Sequence, residues 1–432
     1  MTARDFAVLT LDTKQLPTMP REAFKRRSAT APEDPRDRAL GETIVAGCTK
    51  YWLHLLHLMN IFADRPIDQI DNRAKLILAV ALYQLRFLDR TPDHAVVTEA
   101  VRQTRTMKEP GLPRAAAFVN AILRKAADHG DVSDKLPPRS EAEDYAQKVL
   151  SHPRACFRPM VELVGEADAL KLCEHDNRIP PTLVRLMHSR TIEDLGAVEK
   201  QPHEQAGLVV VSGAKKDDFA RWSEAAIAQV QDATSAATVG HLDVQPGMTV
   251  LDRCSGVGTK TQQLCELVGE KGNVFATDIY GRAISDLRRI AGKRADMQNL
   301  TAKRLDSLAE MPEDWPREFD RILIDAPCSN SGVLARRAEA RYHQNNELLA
   351  EIEKTQAFLL AEAWQHLKPG GLVAYATCSI WPRENQDIVA AFRDMTPEAD
   401  MVEERFILPS YETDDAVKYH DGGYVAVLKK PL

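Results

Sequence analysis

From about Thr238 to the C-terminus, short apolar segments alternate with segments of helical periodicity, and this rhythm limits how that part of the chain can fold. Helical segments near 259–269, 281–296 and 344–367 separate four apolar segments with the length of buried strands. The four are MTVLDR (248–253), NVFATD (273–278), DRILIDA (320–326) and GLVAYATC (371–378). Strands that alternate with helices form βαβ units, so we predict a doubly wound, mostly parallel, Rossmann-like sheet over 236–432.

The rest of the chain follows other patterns, so we predict a multidomain protein. Over 36–140 apolar residues recur at three- and four-residue spacing, which predicts an all-α domain of about five helices ending near Gly130. Residues 1–35 are rich in proline, threonine and charge, and we predict a poorly ordered tail there. For 141–235 we predict a small α+β connecting subdomain with short strands at TLVRLM and GLVVVSG.

Composition narrows the possible functions. The 432 residues include seven cysteines, with no C-x-x-C pair and no spacing typical of zinc ligands, so we predict reduced thiols in a cytoplasmic protein and no metal site. No stretch of about 18 apolar residues occurs, so no membrane span is expected. The net charge is −7, yet residues 1–140 hold 22 basic and 17 acidic residues, a net of +5. This asymmetry is typical of an RNA-facing or partner-facing module, although ordinary surface variation also produces it.

The turn after the first predicted strand, C-S-G-V-G-T-K, contains Gly256 and Gly258, which would let a ligand approach the backbone closely. Asp278 ends the next strand, where an acid can bind both hydroxyls of a ribose. The chain has no G-x-x-x-x-G-K-[ST] phosphate loop, so the turn fits a nucleoside such as S-adenosylmethionine at least as well as a dinucleotide. Asp306 ends a possible third strand and is either a further contact or a solvated loop acid.

Two cysteines follow the last two predicted strands in polar surroundings, Cys328 in D-A-P-C-S and Cys378 in T-C-S. Because parallel strands end at one edge, we expect both thiols and Asp325 to border the crevice beside the glycine turn. Packing as small hydrophobic residues and a disulfide are the alternatives, and a disulfide fits a cytoplasmic enzyme poorly. A thiolate beside a methyl donor suits methylation of carbon 5 of a pyrimidine, because its addition to carbon 6 makes carbon 5 nucleophilic.

These segments resemble the motifs of the Sun-type (Fmu) RNA cytosine-C5 methyltransferases. The catalytic segments that carry the resemblance are LDRCSGVGTKT, TDIY, IDAPCSNSGVLARR and YATCSIWPREN. The helical segments DNRAKLILAVALYQLRFLDRTPDHAVVTEAV and FVNAILRK are similar to the NusB-like RNA-binding domain, which is joined to this catalytic domain in bacterial members acting on small-subunit ribosomal RNA. The likeness runs from about residue 36 to the C-terminus.

The resemblance implies an S-adenosylmethionine-dependent methyltransferase with ribosomal RNA as its partner. It implies Cys378 as the nucleophile, Cys328 as the residue that assists product release, and Asp325 as a contact of the cytosine. It implies a donor site formed by Cys254, Ser255, Gly256, Val257, Gly258, Thr259, Lys260, Asp278, Asp306 and Asp325. The oligomeric state does not follow from the sequence, and a monomer is favoured.

Two segments depart from the family pattern. The donor loop C-S-G-V-G-T-K stands where the family usually has C-A-A-P-G-G-K. After the first thiol motif, N-S-G stands where the family usually has G-T-G, and Ala338 stands where it usually has a proline. The altered loop motivates a second hypothesis, a non-catalytic NusB-like RNA-binding or ribosome-assembly factor with a decayed methyltransferase domain. A third hypothesis, methylation of exocyclic amines or protein side chains, ranks last because D-A-P-C matches the D/N-P-P-aromatic motif of those enzymes poorly.

Basic residues suggest where RNA would bind. After the first thiol motif we predict phosphate contacts, rather than a merely solvated face, for Arg336, Arg337 and Arg341. An RNA face on the helical domain could be formed by Arg86, Arg90, Arg102, Arg105, Arg124 and Lys125, although each alone is more simply a surface residue.

Overall fold

The computed structural model describes residues 1–11, 31–64, 66–89, 91–107, 112–305 and 311–432. The chain forms two compact units. The helical unit consists of Met1–Arg178 and Leu334–Gln344, and the sheet unit consists of Ile179–Val333 and Asn345–Leu432. The connecting subdomain predicted for 141–235 is therefore not a unit of its own, because its first three helices belong to the helical unit and its strands to the sheet unit.

In its described residues the helical unit contains nine α-helices. They are α1 Ala3–Thr10, α2 Pro35–Lys50, α3 Trp52–Phe62, α4 Asn72–Phe87, α5 Asp93–Thr106, α6 Ala116–His129, α7 Ala142–Lys148, α8 Arg154–Val164 and α9 Glu166–Asn177. Local signals set their ends: the carboxylate of Asp71 accepts hydrogen bonds from two backbone N–H groups at the start of α4, and Gly130 ends α6 with a φ of 64°. Ten residues of α4 are buried, so this helix contributes heavily to the core of the unit.

The prediction of a poorly ordered tail over 1–35 is wrong for its first residues. Helix α1 buries Phe6 and Val8 in the helical core, and its Asp5 accepts hydrogen bonds from Arg102 at 2.5 Å and Gln103 at 3.1 Å. A reciprocal capping box of Thr2 and Asp5 starts the helix. The segment is therefore an integral helix of the unit.

The sheet unit begins with a small antiparallel sheet of four strands in the order β2-β3-β1-β4. These strands are β1 Thr182–Leu186, β2 Glu199–Pro202, β3 Leu208–Ser212 and β4 Ala228–Val230. The predicted strands TLVRLM and GLVVVSG correspond to β1 and β3. Their apolar side chains pack on Trp222, which is 1% exposed, so this sheet has a core of its own.

The main sheet has seven strands in the order β10-β11-β9-β8-β5-β6-β7. They are β5 Thr249–Asp252, β6 Asn273–Asp278, β7 Leu300–Arg304, β8 Phe319–Asp325, β9 Leu367–Thr377, β10 Asp400–Ile407 and β11 Gly423–Lys429. Strands β5 to β9 are parallel, and β10 and β11 form an antiparallel pair at one edge. The predicted doubly wound sheet is confirmed, and the sequence pattern gave no sign of the antiparallel pair.

Helices cover both faces of this sheet. They are α11 Ala233–Gly240, α12 Thr259–Val268, α13 Gly281–Ala291, α14 Asn346–Gln365 and α15 Gln386–Met395, whereas α10 Lys216–Glu224 packs on the small sheet through Trp222. One apolar cluster joins the strands to α11, α12 and α13, and a second joins them to α14 and α15. Because both faces are covered, the strands read as continuous apolar runs, which is why the sequence revealed them.

The strand order places a switch point between β5 and β8. From β5 the chain proceeds through β6 to β7 on one side, while β8 and β9 lie on the other. Ligands of doubly wound sheets bind outside the carboxyl ends of the strands at such a point. The strands that end there are followed by the glycine turn and by both thiol motifs.

Candidate active site

The predicted donor loop, Cys254 to Lys260, follows the carboxyl end of β5 and leads into α12. Two of its backbone positions have positive φ angles, 54° at Gly256 and 89° at Gly258. At Gly258 space also excludes a side chain, because a Cβ would lie 2.3 Å from Cδ1 of Leu287. Among the described residues no atom lies within 4 Å of a Cβ built on Gly256. The main chain therefore shapes the turn, with open space above Gly256.

Hydrogen bonds to the end of β6 hold this turn. The carboxylate of Asp278 accepts the N–H of Gly256 at 2.8 Å, and Ser255 donates its N–H to the carbonyl of Thr277 at 2.9 Å. A carboxylate offers about four acceptor positions, so Asp278 can hold the turn and still accept the hydroxyls of a ribose. Asp306, the third predicted acid of this edge, lies outside the described residues.

A buried carboxyl group lies at the base of the turn. Asp252 ends β5 and is 1% exposed, and the hydroxyl of Thr261 donates to its Oδ2 at 2.6 Å. Burial raises the pKa of Asp252 to about 7; the Thr261 hydrogen bond opposes this increase and the carboxylate of Asp325 adds to it. Within the described part of the chain, Oδ1 of Asp252 has no hydrogen-bond partner. That oxygen is therefore a candidate acceptor for a polar group of a ligand.

Lys260 and Asp325 connect the donor turn to the end of β8. The lysine Nζ lies 2.7 Å from Oδ2 of Asp325, and its side chain is 13% exposed. Burial by itself lowers the pKa of Lys260, but the carboxylate of Asp325 and the charge of Cys378 outweigh it, so the pKa lies above its ordinary value. The site therefore contains a permanent cation bonded to a carboxylate.

The two thiols that the sequence singled out meet at the ends of β8 and β9. The Sγ atoms of Cys328 and Cys378 lie 3.1 Å apart, a hydrogen-bond distance far above the roughly 2.05 Å of a disulfide bond. The hydrogen bond with Cys378 raises the pKa of Cys328 well above its usual value; burial and the charges of Cys378 and Glu384 raise it further. Ionisation of one thiol therefore opposes ionisation of the other.

The backbone around Cys378 is clamped by its own motif. Thr377 donates its hydroxyl to Oδ1 of Asn385 at 2.6 Å, and Nδ2 of Asn385 donates to the carbonyl of Ser379 at 2.9 Å. Ser379 in turn donates its N–H to the hydroxyl oxygen of Thr377 at 3.1 Å. These bonds fix the residues on both sides of the thiol, and Asn385 is completely buried.

Asn330 explains how the loop after Cys328 tolerates a departure from the family pattern. The residue has a φ of 61°, a region that glycine adopts easily and asparagine tolerates better than most residues. Its Nδ2 donates to the carbonyl of Cys328 at 3.0 Å, and its Oδ1 accepts from Sγ of Cys378 at 3.4 Å. Asparagine therefore keeps the backbone shape of the usual glycine and adds contacts to both thiol loops.

Comparisons with known proteins identify the family of this chain. The profile of the family described as 16S rRNA methyltransferase RsmB/F matches residues 239–417, and that of the NusB family matches 1–128. A Vibrio cholerae protein named ribosomal RNA small subunit methyltransferase B is 30% identical over 412 residues, covering 92% of this chain and 90% of that relative. The chain belongs to the RsmB/F family of 16S rRNA methyltransferases. The predicted Sun-type resemblance and the NusB-like domain are confirmed, and RsmB/F membership makes the protein an S-adenosylmethionine-dependent rRNA methyltransferase.

More distant RsmB/F relatives and solved structures give the same result for the fold. A Bacillus subtilis protein named probable ribosomal RNA small subunit methyltransferase B is 26% identical over 376 residues, covering 84% of this chain and 81% of the relative. The crystal structure of PH0851 matches 100% of this chain and 99% of its own, with a TM-score of 0.76 and 20% identity. A methyltransferase homologue from Pyrococcus horikoshii matches 67% of this chain and 99% of its own, with a TM-score of 0.55 and 20% identity.

The residues of the turn fit the methyl donor of the RsmB/F family. The open space above Gly256, the carboxylate of Asp278 and the unpartnered oxygen of Asp252 suit a nucleoside with a polar tail. In the part of the chain that the structure describes, no group of three or more metal-ligating side chains occurs. No helix among the described residues has the length and apolarity needed to cross a membrane.

The three arginines predicted to contact RNA after the first thiol motif differ in their exposure. Arg341 is completely buried, and its guanidinium donates to Oδ1 of Asn177 at 2.9 Å and to the carbonyl of Asp176 at 3.2 Å. The prediction of a phosphate contact is therefore wrong for Arg341, which stabilises the helical unit. Arg336 and Arg337 are exposed, and they too belong to the helical unit through the segment Leu334–Gln344.

Several of the basic residues predicted to form an RNA face on the helical domain are also bonded to other residues of that domain. Arg86 donates to the carbonyl of Ala126 at 2.8 Å, and Arg102 is bound to Asp5 and Glu99. Lys125 pairs with Asp64 in an exposed ion pair, and Arg90 lies outside the described residues. A cavity of about 830 Å³ is lined by residues of α5 and α6, among them Arg102, Arg105 and Arg124. Of these three arginines, Arg105 and Arg124 are exposed.

Sequence reasoning missed the residues that hold the thiol loops. Asn385 and Glu384 are both completely buried, and their hydrogen bonds fix the loops that carry Cys378 and Cys328. Both lie in the quoted motif YATCSIWPREN. In the sequence, only their position in this motif pointed to them. A charged and an amide side chain beside a tryptophan and a proline are otherwise typical of an exposed loop.

Proposed function

We propose that the protein methylates carbon 5 of a cytosine in 16S rRNA, with S-adenosylmethionine as donor and Cys378 as the covalent nucleophile. The observation that carries this proposal is the pair of thiols 3.1 Å apart, at the same sheet edge as the Lys260–Asp325 pair and the donor turn. Family membership supports the donor and the ribosomal substrate. The cytosine chemistry rests on the two thiols.

In this mechanism the Cys378 thiolate forms a bond to carbon 6 of the base, and the electrons of the 5,6 double bond move towards carbon 5. Carbon 5 then forms a bond to the methyl group, and the electron pair of the broken sulfur–methyl bond stays on the sulfur of the donor. Loss of the carbon-5 proton restores the double bond and returns the Cys378 thiolate. Covalent catalysis thus divides one difficult step into easier ones.

The ion pair next to the thiols supplies charges that this chemistry needs. The raised pKa of Lys260 keeps it protonated, so its positive charge stabilises the negative charge that builds up on the ring. The Asp325 carboxylate can accept a hydrogen bond from the amino group of a cytosine and so favour cytosine over uracil. We therefore assign Asp325 to base recognition and Lys260 to electrostatic stabilisation.

Cys328 is suited to the final step because its acidity depends on the state of Cys378. The hydrogen bond with Cys378 is the largest cause of the raised pKa of Cys328, and the charge of Cys378 contributes as well. Once Cys378 is bonded to carbon 6 it is an uncharged thioether, so both contributions end. The pKa of Cys328 then falls towards the value set by burial and by Glu384. Cys328 can thus pass its thiol proton to water and, as a thiolate, accept the carbon-5 proton when that proton must leave.

We propose that the NusB-like helical unit helps to bind the ribosomal RNA. The net charge of +5 over residues 1–140 and the exposed Arg105 and Arg124 support phosphate contacts there. The exposed Arg336 and Arg337 remain proposed phosphate contacts. A ribosomal substrate places the activity in the cytoplasm, and we expect a monomer.

Transfer of labelled methyl groups to 16S rRNA, tested both as naked RNA and in small subunits, addresses the reaction. Digestion to nucleosides and mass spectrometry should find the label in 5-methylcytidine. Label in another nucleoside would overturn the cytosine assignment. A protein that binds rRNA but transfers no label to either substrate would support the assembly-factor hypothesis, which the intact thiols, Lys260 and Asp325 disfavour.

RNA containing 5-fluorocytidine tests the covalent step. Fluorine replaces the proton that must leave carbon 5, so the adduct should persist in denaturing gels, and peptide mapping should locate it on Cys378. An adduct on Cys328 would reverse the proposed roles. RNA of the same sequence with ordinary cytidine is the matched control and should release the enzyme.

A further inference from the structure

We propose that Glu384 is a positioning residue of the methyl-transfer reaction, whose carboxylate holds the two thiol loops in register through Ser329 and Ser379. The inference rests on the function proposed above and deepens it. Glu384 follows the strand β9 that leads to Cys378, and it is completely buried. A fully buried carboxylate needs a full set of donors, so its partners reveal what it organises.

Two of these partners directly follow the two cysteines, and a third is Gln356 on α14, whose Nε2 donates to Oε1 at 3.3 Å. Ser329, next to Cys328, donates its N–H to Oε1 of Glu384 at 2.8 Å and its hydroxyl to Oε2 at 2.5 Å. Ser379, next to Cys378, donates its hydroxyl to the same Oε2 at 2.5 Å. One carboxylate therefore ties together two loops that are about fifty residues apart in sequence.

The surrounding polar groups leave little freedom for another arrangement. The hydroxyl of Ser379 also accepts the N–H of Trp381 at 3.0 Å, and it lies 2.9 Å from the hydroxyl of Ser331. Ser331 in turn accepts the N–H of Ile380 at 2.9 Å. Since the hydroxyls of Ser329 and Ser379 both donate to one carboxylate oxygen, that oxygen must be an acceptor and cannot be replaced by a donor.

The charge of Glu384 also affects the chemistry of the nearer thiol. The carboxylate is one of the negative groups that raise the pKa of Cys328. It therefore helps to keep Cys328 protonated in the resting enzyme. Glu384 touches neither reacting sulfur in the structure's hydrogen bonds; it acts through the two serines and through its charge.

The substitution Glu384→Gln tests both effects, because it keeps the shape but presents an N–H group where both hydroxyls now donate. We expect kcat for methyl transfer to fall by up to about 10²-fold, with little change in KM for RNA or donor, since misplacement of the reacting groups is costly. Ser329→Ala and Ser379→Ala should lower kcat less, and their losses should not add to that of E384Q.

A second readout does not depend on methyl transfer. Alkylation of the two thiols by iodoacetamide across a pH series, followed by mass spectrometry of their separate tryptic peptides, reports each ionisation. In E384Q the alkylation of Cys328 should begin at lower pH than in wild type, because a negative charge has been removed. A purely structural role for Glu384 would not move this pH profile in the folded protein.

Glu266→Gln is the matched control. The carboxylate side chain of Glu266 is also largely shielded, 9% exposed, but it pairs with Arg185 on the small sheet and lies near the C-terminal end of α12. E266Q should cost stability while leaving kcat and the Cys328 alkylation profile unchanged. If E384Q does not fold, Ser329→Ala and Ser379→Ala carry the test by the same readouts.

Two results would overturn the inference. One is an E384Q enzyme with wild-type kcat and an unchanged Cys328 profile; the other is wild-type kcat and profile in both serine variants when E384Q is unfolded. Neither result would touch the proposed function. Failure of that function would instead appear in the wild-type enzyme, as an absence of 5-methylcytidine and of the adduct on 5-fluorocytidine RNA.

Discussion

The donor turn and the thiol loops lie at the same sheet edge, but different parts of the chain hold them. The main chain shapes the turn, with positive φ angles at Gly256 and Gly258 and a Gly256 N–H bonded to the carboxylate of Asp278. Side chains from within the motifs hold the thiol loops, above all Glu384 and Asn385. The two regions should therefore respond differently to substitution.

This difference accounts for where the sequence departs from its family. The loop keeps glycine at position 258, where φ is 89°, and has glycine in place of the family's alanine at position 256, where φ is 54°. Because glycine adopts both angles without strain, C-S-G-V-G-T-K can form the turn in place of C-A-A-P-G-G-K. In the thiol loops the one departure on a strained position, Asn330, is a residue type that tolerates a positive φ. The altered donor loop is thus no sign of decay.

The largest effect is expected at Cys378. Cys378→Ala removes the nucleophile and should lower methyl transfer by on the order of 10⁴-fold or more, because no other group can replace a covalent catalyst. Binding of S-adenosylmethionine, measured by calorimetry, should be unchanged, since the donor turn is held independently. Residual activity within tenfold of wild type would exclude the covalent role, and lost donor binding would contradict the independence of the two regions.

Cys328→Ala should have a smaller effect of a different kind. The first bond to carbon 6 can still form, but the base for the carbon-5 proton is missing, so turnover should fall by about 10²-fold. An RNA–protein adduct that survives denaturing gels should accumulate, with methylated cytosine attached to Cys378. The double variant C328A/C378A is the control and should form no adduct; an adduct there would place the nucleophile elsewhere.

The sequence predicted four strands of the main sheet, β5, β6, β8 and β9, with β7 as a possible fifth, and the clustering of the residues that follow them, because buried parallel strands are short, continuous apolar runs and end at one edge. It did not predict the antiparallel strand β11, although GYVAVLK is also an apolar run. It could not predict helix α1, whose eight residues precede a segment rich in proline and charge. It also missed β10, where Asp400–Ile407 is mostly polar because the strand lies at the sheet edge.

The environments of individual polar residues could not be predicted from the sequence either, because a single charged side chain gives no sign of its partners. Arg341 looked like a phosphate contact, yet its partners Asp176 and Asn177 are more than 160 residues earlier in the chain. Glu384 looked like an exposed loop residue for the same reason. Only the folded chain brings together the hydrogen-bond partners that offset the cost of burying such groups.

The two glycines of the donor turn allow a direct test of main-chain control. Gly258→Ala should destabilise the protein by about 1–3 kcal/mol through backbone strain, with a further ~1–3 kcal/mol from the collision with Leu287. Gly256→Ala also strains the backbone but meets open space, so it should cost less stability and should instead raise KM for S-adenosylmethionine. Urea unfolding and donor titration separate these results. Equal losses of stability in the two variants would contradict this description of the turn.

The smallest expected effect concerns how the free energy of unfolding depends on pH. The carboxyl groups of Asp252 and Asp314 should give pH dependences of opposite sign. Asp252 has a pKa of about 7 in the folded protein against an ordinary 3.8, so the folded state binds its proton more tightly and stability is lost as pH rises from about 4 to 7. Asp252→Asn should remove this loss, which is at most a few kcal/mol at ~1.4 kcal/mol per pKa unit.

Asp314 is the opposite case: its hydrogen bond with Lys303 lowers its pKa, so its stabilisation is lost as pH falls, and Asp314→Asn should flatten the acid side of the stability profile instead. Urea unfolding without donor measures the two slopes, for D252N between about pH 4 and 8 and for D314N between about pH 5 and 2. A wild-type slope retained in D252N would show that burial beneath the donor turn does not set the ionisation of Asp252.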